Sequence, residues 1–292
     1  MIEPRRLLEG AVDTHVHSAP DLVERKQDDL EVARAARARG MAAVVLKNHF
    51  LPTPLRARLA ESQARGVRVL GGVVLNQPAG GMNPWAVEAA AAAGAKVVWM
   101  PTAQAENQLR DQARPGRPAH PLRLEVRDRP AAVRVFDADG EPTADTLAVL
   151  EVARDRGLVL ATGHLSAGEV ERLVTRARAM GLRRLLATHP DAAVIGMPIP
   201  LQQRLAEQGL RFERTFNWLN PPYRSPTATE QAAIIRAVGV ASTVLATDFG
   251  QAYNAPPADG LEAYLAVLLE QGFGADELRR MVADNAHALL DV

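Results

Sequence analysis

Short apolar runs alternate with amphipathic runs along the whole chain. Eight runs have the near-continuous apolar character of strands that are buried on both faces. These predicted strands span residues 11–17, 42–47, 67–76, 95–101, 158–164, 184–189, 210–215 and 243–248. Helix-type segments such as 28–40, 54–66 and 83–94 lie between them, and several end at a glycine before the next strand, which is a common helix stop.

Eight strand–helix repeats predict an α/β protein with the (β/α)8 TIM-barrel fold, in a single domain over residues 1–292. The competing architecture is an open doubly wound sheet. That architecture favours a glycine-rich phosphate-binding turn after a strand, and neither a G-x-G-x-x-G nor a P-loop pattern occurs in this sequence. We therefore expect the closed barrel.

The interval between the fourth and fifth predicted strands is much longer than the other intervals. We interpret residues 103–140 as an elaborated loop between the fourth strand and the helix that follows it, an insertion that covers the barrel mouth. Within the interval, VRVFDADGEPT (133–143) is typical of a hairpin around a DADG turn. His120 lies between prolines and is expected at the surface, with a role in a lid as the alternative.

Composition narrows the function classes. The chain is 47% hydrophobic and carries 34 basic and 34 acidic residues, so it is neither disordered nor charged overall. A neutral chain lacks the usual electrostatic basis for binding nucleic acid or an anionic membrane. The absence of cysteine excludes disulfides, thiolate–zinc sites and cysteine nucleophiles. With no apolar signal-peptide region or membrane-spanning run, we expect a cytoplasmic protein with a small-molecule substrate, and the oligomeric state stays open, a homo-oligomer being one alternative.

Polar residues with metal-binding chemistry end four of the predicted strands. His15 and His17 form H-x-H at the end of the first strand, where residues i and i+2 point to the same side. His164, His189 and Asp248 end the fifth, sixth and eighth strands. The carboxyl ends of barrel strands carry the active site in essentially every such enzyme. Imidazoles with one carboxylate suit zinc, manganese, iron or nickel and leave a position open for water. An H-x-H pair alone would equally be two ordinary polar residues.

This ordered set resembles the amidohydrolase superfamily of metal-dependent barrels, and the terminal NAHALL (285–290) is similar to an N-x-A-x-x-L ending common there. The resemblance implies one or two divalent ions, zinc first with manganese, iron or nickel as alternatives. The implied metal ligands are His15, His17, His164, His189 and Asp248. It also implies that Asp248 takes the proton from the attacking water. The expected activity is that of a metal-dependent hydrolase of an amide, cyclic amide or lactone.

The sequence departs from the binuclear members that carry a bridging carboxylated lysine at the end of the fourth strand, because WMPT (99–102) ends that strand here. Lys47 ends the second strand instead. It is interpreted as a catalytic cation for a substrate oxyanion or carboxylate, with a carbamate ligand or a lysine reaching solvent at the rim as alternatives. His49 is a metal ligand or a proton donor. With Asp248, His189 completes the expected catalytic set. Glu213 on the seventh strand is an additional metal ligand or a partner of one.

Other residues have weaker assignments. Asp13 is expected to orient a ligand, Asn76 and Tyr253 are candidates for contact with substrate, and His287 is expected to be structural. Three rival functions stay open. The first is a metal-dependent lyase, decarboxylase or hydratase of a small carboxylic acid, since fold does not choose the chemistry. The second is a TatD-like nuclease, which the neutral composition disfavours. The third is a non-catalytic metal-binding protein.

Overall fold

The computed structural model describes residues 3–116, 124, 126–127 and 132–292, which contain eight parallel strands alternating with helices. The strands are β1 (Val12–Val16), β2 (Ala43–Leu46), β3 (Arg68–Val74), β4 (Ala95–Trp99), β5 (Val159–Ala161), β6 (Leu185–Ala187), β7 (Arg211–Thr215) and β8 (Thr243–Ala246). Each strand pairs with the next one along the chain, in the order β1 to β8. The predicted (β/α)8 barrel is confirmed, with strands shorter than the apolar runs because the polar residues at their carboxyl ends leave the sheet.

The helices lie between the strands and after the last one. They are α1 (Asp29–Ala38), α2 (Pro54–Ala64), α3 (Pro84–Ala92), α4 (Glu106–Gln112), α5 (Ala144–Asp155), α6 (Ala167–Ala179), α7 (Ile199–Glu207), α8 (Ala228–Val238), α9 (Pro257–Glu270), α10 (Ala275–Arg279) and α11 (Asn285–Leu290), with a π-helical turn at Arg280–Asp284. Short 3-10 turns occupy Pro4–Leu8, Gln77–Ala79, Asn217–Leu219 and Val240–Ser242. Helices α1, α6 and α8 begin with capping boxes, which satisfy backbone donors that have no partner inside the helix.

Apolar side chains form two layers around the strands. The inner layer fills the barrel with residues such as Val45, Trp99 and Val244, and Leu289 and Leu290 of α11 pack against it. The outer layers lie between the strands and the surrounding helices. The Asn285 side-chain amide donates to the carbonyls of Val240 and Thr243, which attaches the start of α11 to the start of β8. The chain's last helix is therefore part of the barrel core.

Residues just beyond β8 join it to β1. The Asp248 amide donates to the His15 carbonyl (2.9 Å), and the His17 amide donates to the Phe249 carbonyl (2.8 Å). Deeper in this seam, the buried Asp13 carboxylate accepts from the Thr247 amide (3.0 Å) and the Thr247 hydroxyl (2.6 Å). Asp13 thus links β1 to β8, and its Oδ1 also accepts from the His15 backbone amide (3.2 Å). The structure gives Asp13 a role in barrel closure, and its expected role as an orienting partner of a metal ligand stays a prediction.

An irregularity in β1 decides where its histidines point. Asp13 pairs with Val44 and Val16 pairs with Leu46, so three steps along β1 match two along β2. Val12 accordingly belongs to the inner layer and Val16 to the outer layer, although they are four positions apart. A regular strand would place both on one face. Because His15 and His17 flank Val16, the shift turns both imidazoles toward the barrel interior.

The interval after β4 contains more structure than the predicted loop. Helix α4 begins at Glu106, within the 103–140 segment. Around the DADG turn, Phe136 and Pro142 form an antiparallel bridge and the Asp137 amide donates to the Glu141 carbonyl (2.9 Å), consistent with the expected hairpin. His120 lies outside the described residues. The single-domain assignment and the covering role of the whole segment stay predictions. Among the described helices, none is long and apolar enough to cross a membrane.

Candidate metal centre

Three buried side chains converge where β1 and β8 end. The Nε2 atom of His15 lies 3.1 Å from Oδ1 of Asp248, and the Nε2 atom of His17 lies 3.2 Å from the same oxygen. One ligand atom from each residue lies within 4.8 Å of the other two. His15 lies in the shifted part of β1, His17 directly follows that strand, and Asp248 follows β8, so the barrel seam itself assembles the group.

The donor set fits a divalent cation. In a tetrahedral site with metal–ligand bonds of about 2.0–2.1 Å, ligand atoms lie roughly 3.3 Å apart, close to the separations between the two imidazole nitrogens and Asp248 Oδ1. Two nitrogens and a carboxylate oxygen are also the ligand types that zinc and similar ions prefer. These three residues therefore fit a metal site by chemistry and by spacing.

Glu213 binds the outer side of His15. Its Oε2 lies 2.9 Å from His15 Nδ1, and its Oε1 accepts from the Thr14 hydroxyl (2.7 Å). The carboxylate accepts the Nδ1 proton, so Nε2, the nitrogen that faces Asp248, is the one that can bind a cation. Carboxylate-bound imidazoles of this kind are the usual form of metal-ligating histidine. Of the two roles expected for Glu213, the geometry favours the partner of a ligand.

Charges in this group depend strongly on one another. Burial lowers the pKa of His15, but the carboxylates of Asp248 and Glu213 raise that pKa by more, so it lies above its ordinary value. Burial raises the pKa of Asp248, yet His15 and His17 hold it well below the ordinary range, so Asp248 is ionised at neutral pH. Burial and the nearby Arg25 guanidinium hold the pKa of His17 well below its usual value. His17 is therefore neutral and available as a ligand.

Lys47 lies inside the barrel, one residue past β2. Only 1% of its surface is exposed, which excludes the alternative of a lysine reaching solvent at the rim. Its Nζ lies 3.1 Å from His15 Nε2 and 5.5 Å from the centre of the Trp99 ring. Burial lowers the pKa of Lys47 to about 8. A primary amine thus borders the three-residue group directly.

His164 and His189 form a second group beside the first. Their ring centres are 4.8 Å apart, and the His189 ring is 6.1 Å from the His15 ring. Burial lowers the pKa of His189 to about 3, and burial with the neighbouring His189 and Lys47 holds the pKa of His164 well below its usual value. Both are neutral, but neither belongs to the group of three whose ligand atoms converge. The predicted five-ligand set is therefore split into three and two, and metal binding by each stays a prediction.

Backbone strain is concentrated at two of these residues. Asp248 has a φ of +55° and His189 a φ of +27°, a region that residues other than glycine seldom adopt. Both residues follow the last residue of their strand by two positions. Strain of this kind persists where surrounding structure holds it, and it is common in functional sites. The positive φ marks the turns that aim these two side chains.

His49 is held by a hydrogen-bond network at the ends of β3 and β4. Its Nδ1 lies 2.8 Å from the Thr102 hydroxyl, which also accepts from the Asn76 amide (2.8 Å). Its ring stacks on His17 with centres 4.9 Å apart. His49 therefore lies beside the centre without being one of the three converging ligands, and Asn76 serves His49 and Thr102.

A cavity of about 420 Å³ opens above the centre. Sequence patterns did not single out several of its lining residues, which lie in loops, in α4 or in the 3-10 turn at Asn217–Leu219, where no strand-end signal applies: Arg25, Gln108, Asn217, Trp218 and Tyr223. Tyr253, an expected candidate, also lines it. His287 lies elsewhere, between the Gly10 and Val292 carbonyls, which supports its expected structural role.

A protein-family profile described as a family of unknown function, DUF6282, matches residues 10–213. The chain belongs to this family. The matched range begins just before β1 and ends within β7, so it includes all the candidate residues of the centre except Asp248. A search of curated proteins finds no match.

Solved structures with the same fold include an amidohydrolase, a probable dipeptidase and an organophosphorus hydrolase. The chain is similar to an amidohydrolase from Pseudomonas aeruginosa (10% identity, TM-score 0.58, 99% of this chain and 98% of the other). It is similar to the probable dipeptidase PvdM from Pseudomonas aeruginosa, with 11% identity and a TM-score of 0.62 over 98% of this chain and 96% of the other. It is also similar to an organophosphorus hydrolase from Deinococcus radiodurans, with 15% identity and a TM-score of 0.59 over 98% of this chain and 93% of the other. At such identities the likeness shows the fold alone, which is the barrel that the sequence predicted.

Proposed function

We propose that this chain is a metal-dependent hydrolase that cleaves an amide, cyclic amide or lactone bond in a small molecule. The observation that carries the proposal is the convergence of His15 Nε2 and His17 Nε2 on Asp248 Oδ1, below a cavity at the carboxyl end of a parallel barrel. The fold shared with an amidohydrolase, a dipeptidase and an organophosphorus hydrolase supports the hydrolase class.

His15, His17 and Asp248 would hold the first divalent cation, with zinc as the first candidate because of the nitrogen-rich donor set. His164 and His189 would serve a second. When bound, such a cation supplies a Lewis acid that polarises a carbonyl group and makes water more acidic. Glu213 contributes by holding His15 in the tautomer whose Nε2 is free to bind.

Asp248 is positioned to act as the proton carrier. It is ionised at neutral pH, and its Oδ2, the oxygen that faces away from the two imidazoles, lies 3.5 Å from the Asn217 amide nitrogen. A carboxylate with one oxygen directed at the ligands can accept a proton from the attacking water on the other and return it to the leaving group. Asn217 is itself held by Asn254 (3.0 Å), which restricts the side chain beside the base.

Lys47, His49 and His189 surround the position where an oxyanion would form. The Lys47 amine donates into the site from the barrel interior, and His49 and His189 border it from neighbouring strands. Donors fixed before the reaction stabilise developing negative charge without reorganising. The cavity volume of about 420 Å³ and the net charge of zero support a small-molecule substrate over a nucleic acid.

A lyase or decarboxylase of a small carboxylic acid is the second candidate. Two cationic side chains, Lys47 and Arg25, line the cavity. Such cations would clamp a substrate carboxylate next to the centre. This alternative requires the same ligands, so metal analysis alone does not separate it from hydrolysis.

The test combines metal analysis with a substrate panel. We expect the purified protein, stripped by a chelator and reloaded with zinc, manganese, iron or nickel, to bind at least one ion per chain. Small amides, cyclic amides, lactones and carboxylic acids are then assayed for acid release and for carbon dioxide release. Acid release that requires the metal supports the hydrolase, and carbon dioxide release supports the lyase.

Matched variants test whether Asp248 is required for turnover and for metal binding. Asp248→Asn should lower turnover by several orders of magnitude and weaken metal binding. Asp259→Asn, which changes a half-exposed carboxylate on the surface ion pair with Arg39, is the control and should behave like the wild type. Turnover that survives removal of every divalent ion, or full activity of Asp248→Asn, would contradict the proposed function.

A further inference from the structure

Helix α4 is attached directly to the loops that carry the second histidine group. The Asn107 side-chain amide donates to the carbonyl of His164 (3.1 Å), just beyond β5, and to the carbonyl of Val194 (2.8 Å), in the loop between β6 and α7. One side chain thereby connects the two loops that present His164 and His189. The helix is fixed over this side of the barrel mouth by specific polar bonds.

The next residue of α4 contacts the imidazole itself. Oε1 of Gln108 lies 2.7 Å from Nδ1 of His164. A neutral imidazole carries one N–H, and an amide oxygen can only accept, so this bond places the proton on Nδ1. Nε2 of His164 is then left with its lone pair available for a metal. Glu213, in β7, does the same for His15.

We propose that Gln108 is a positioning residue of the metal centre, which fixes His164 in the tautomer that binds a divalent cation on the His164–His189 side. The inference rests on the proposed function, since it requires that the centre hold metal. It makes α4 part of that centre, although α4 lies in the segment between β4 and α5, outside the strand ends that supply the other groups.

The direction of this hydrogen bond gives opposite expectations for two variants. Gln108→Leu removes the acceptor and frees both tautomers, so the affinity for zinc on the His164–His189 side should fall by about 10–100-fold, the usual effect of losing the partner of a ligand. Gln108→Glu can only accept, so its affinity should equal or exceed that of the wild type. If Gln108 instead donated its N–H to Nδ1, the proton would lie on Nε2 and block metal binding there, so neither the leucine nor the glutamate would weaken binding.

The experiment is a zinc titration of the metal-free full chain in competition with a chromogenic chelator, with thermal unfolding to check the fold. Gln112→Leu is the control. Residue 112 lines the same cavity one turn further along α4, and among the described residues it has no hydrogen bond to a histidine, so its zinc affinity should be unchanged. Wild-type affinity in Gln108→Leu, or equal losses in the leucine and glutamate variants, would overturn the inference.

A second measurement needs no variant at position 108. Long-range 1H–15N spectra of the metal-free wild type report which nitrogen of each imidazole is protonated, and His164→Gln assigns the signal. We expect His164 to carry its proton on Nδ1, and a proton on Nε2 would overturn the inference. A wild-type chain that binds no divalent cation would contradict both this inference and the proposed function. Normal binding with unaffected Gln108 variants would contradict this inference alone.

Discussion

His15 is the residue on which most of the interactions in the centre depend. Its Nδ1 is bound by Glu213, and its Nε2 lies 3.1 Å from both Asp248 Oδ1 and Lys47 Nζ. One imidazole thus connects a buried carboxylate, the proposed base and a buried amine. Changes to any of these neighbours should therefore reach the metal through the protonation and orientation of His15.

Replacing the carboxylate that holds His15 should weaken metal binding without removing a ligand. Glu213→Gln keeps an oxygen that can accept from Nδ1 but loses the negative charge, so we expect zinc affinity to fall by about tenfold. The measurement is the same competition titration with a chelator. Glu88→Gln, in the surface pair with Arg156, is the control. Wild-type affinity in Glu213→Gln would show that the carboxylate has no influence on the ligand.

The buried amine of Lys47 should destabilise the metal-free protein at neutral pH. Burial lowers its pKa to about 8, compared with 10.5 for an exposed lysine. Because the folded state resists protonation, the cost is fully present below pH 8 and disappears as the pH rises toward 10.5. Lys47→Met should therefore raise the free energy of unfolding at pH 7 by about 3 kcal/mol. It should also remove the rise in stability between pH 8 and 10.5.

Denaturant unfolding of the metal-free chain at several pH values measures both effects. Lys96→Met, at a partly buried position in β4, is the control and should not raise the free energy of unfolding at pH 7 by a comparable amount. In the metal-loaded enzyme, Lys47→Met should lower kcat by about 10–100-fold while metal content stays the same, since a donor to the oxyanion is lost. Unchanged kcat would leave Lys47 without a catalytic role.

Some properties of these residues were predictable from the sequence, and others were not. The imidazoles and Asp248 were found because they end apolar strands, and strand ends of a barrel meet at one mouth. The sequence could not decide whether Lys47 is buried, because a lysine at a strand end is equally compatible with reaching solvent. Three ligands converge rather than five because of the directions of their side chains, which the hydrophobic periodicity of the sequence does not predict.

Among the elements, the loop after β8 depends on a close approach to β1. Gly250 has a φ of +135°, and a Cβ built there would lie 1.8 Å from the His17 carbonyl oxygen. That carbonyl belongs to a candidate ligand. The glycine is therefore required both for its backbone conformation and for the absence of a side chain, and it couples the β8–α9 loop to the position of His17.

Gly250→Ala should displace His17 and so cost metal affinity as well as stability. Gly239→Ala is the matched control, since Gly239 also has a positive φ (+108°) but a Cβ there would meet nothing within 4 Å. The control should lose only the strain of a left-handed residue, about 1–2 kcal/mol, and keep its metal. Zinc titration and denaturant unfolding of both variants make the comparison. Equal behaviour of the two would refute the coupling between this loop and His17.

Elements with an apolar period were predictable, whereas those held by polar contacts were not. The eight strands and most of the helices follow from the alternation of buried runs with amphipathic ones. Helix α4, with the sequence ENQLRDQ, has no apolar stripe and is held by Asn107 and Gln108 through bonds to residues distant in sequence. The register shift in β1 was also missed, because it is defined by the pairing with β2.

At the scale of the whole molecule, the contacts that close the barrel are also those that bring the residues of the centre together. The first and last strands supply the three converging ligands, and their seam is joined by the Asp248 and His17 amides and by the Asp13 carboxylate. From this arrangement, the closed barrel and the types of candidate metal ligand, histidine and aspartate, were predictable from the sequence. It did not predict that Asp13 bonds to Thr247, since only the folded chain brings residues 234 positions apart into contact.

A single hydroxyl at the seam should therefore affect both stability and metal binding. Thr247→Val removes the donor that lies 2.6 Å from Asp13 Oδ2 and leaves a buried carboxylate oxygen short of a partner, which should cost about 1–3 kcal/mol of unfolding free energy. Thr215→Val makes the same change at the end of β7, where the buried hydroxyl has no hydrogen-bond partner among the described residues, and should be neutral or stabilising. If the seam also sets the ligand geometry, Thr247→Val alone should lower zinc affinity, because the Asp13–Thr247 bonds lie next to both ligand-bearing segments. Loss of stability with unchanged zinc affinity would show instead that Asp248 and the two histidines are positioned by their own backbone bonds, independently of the carboxylate beneath them.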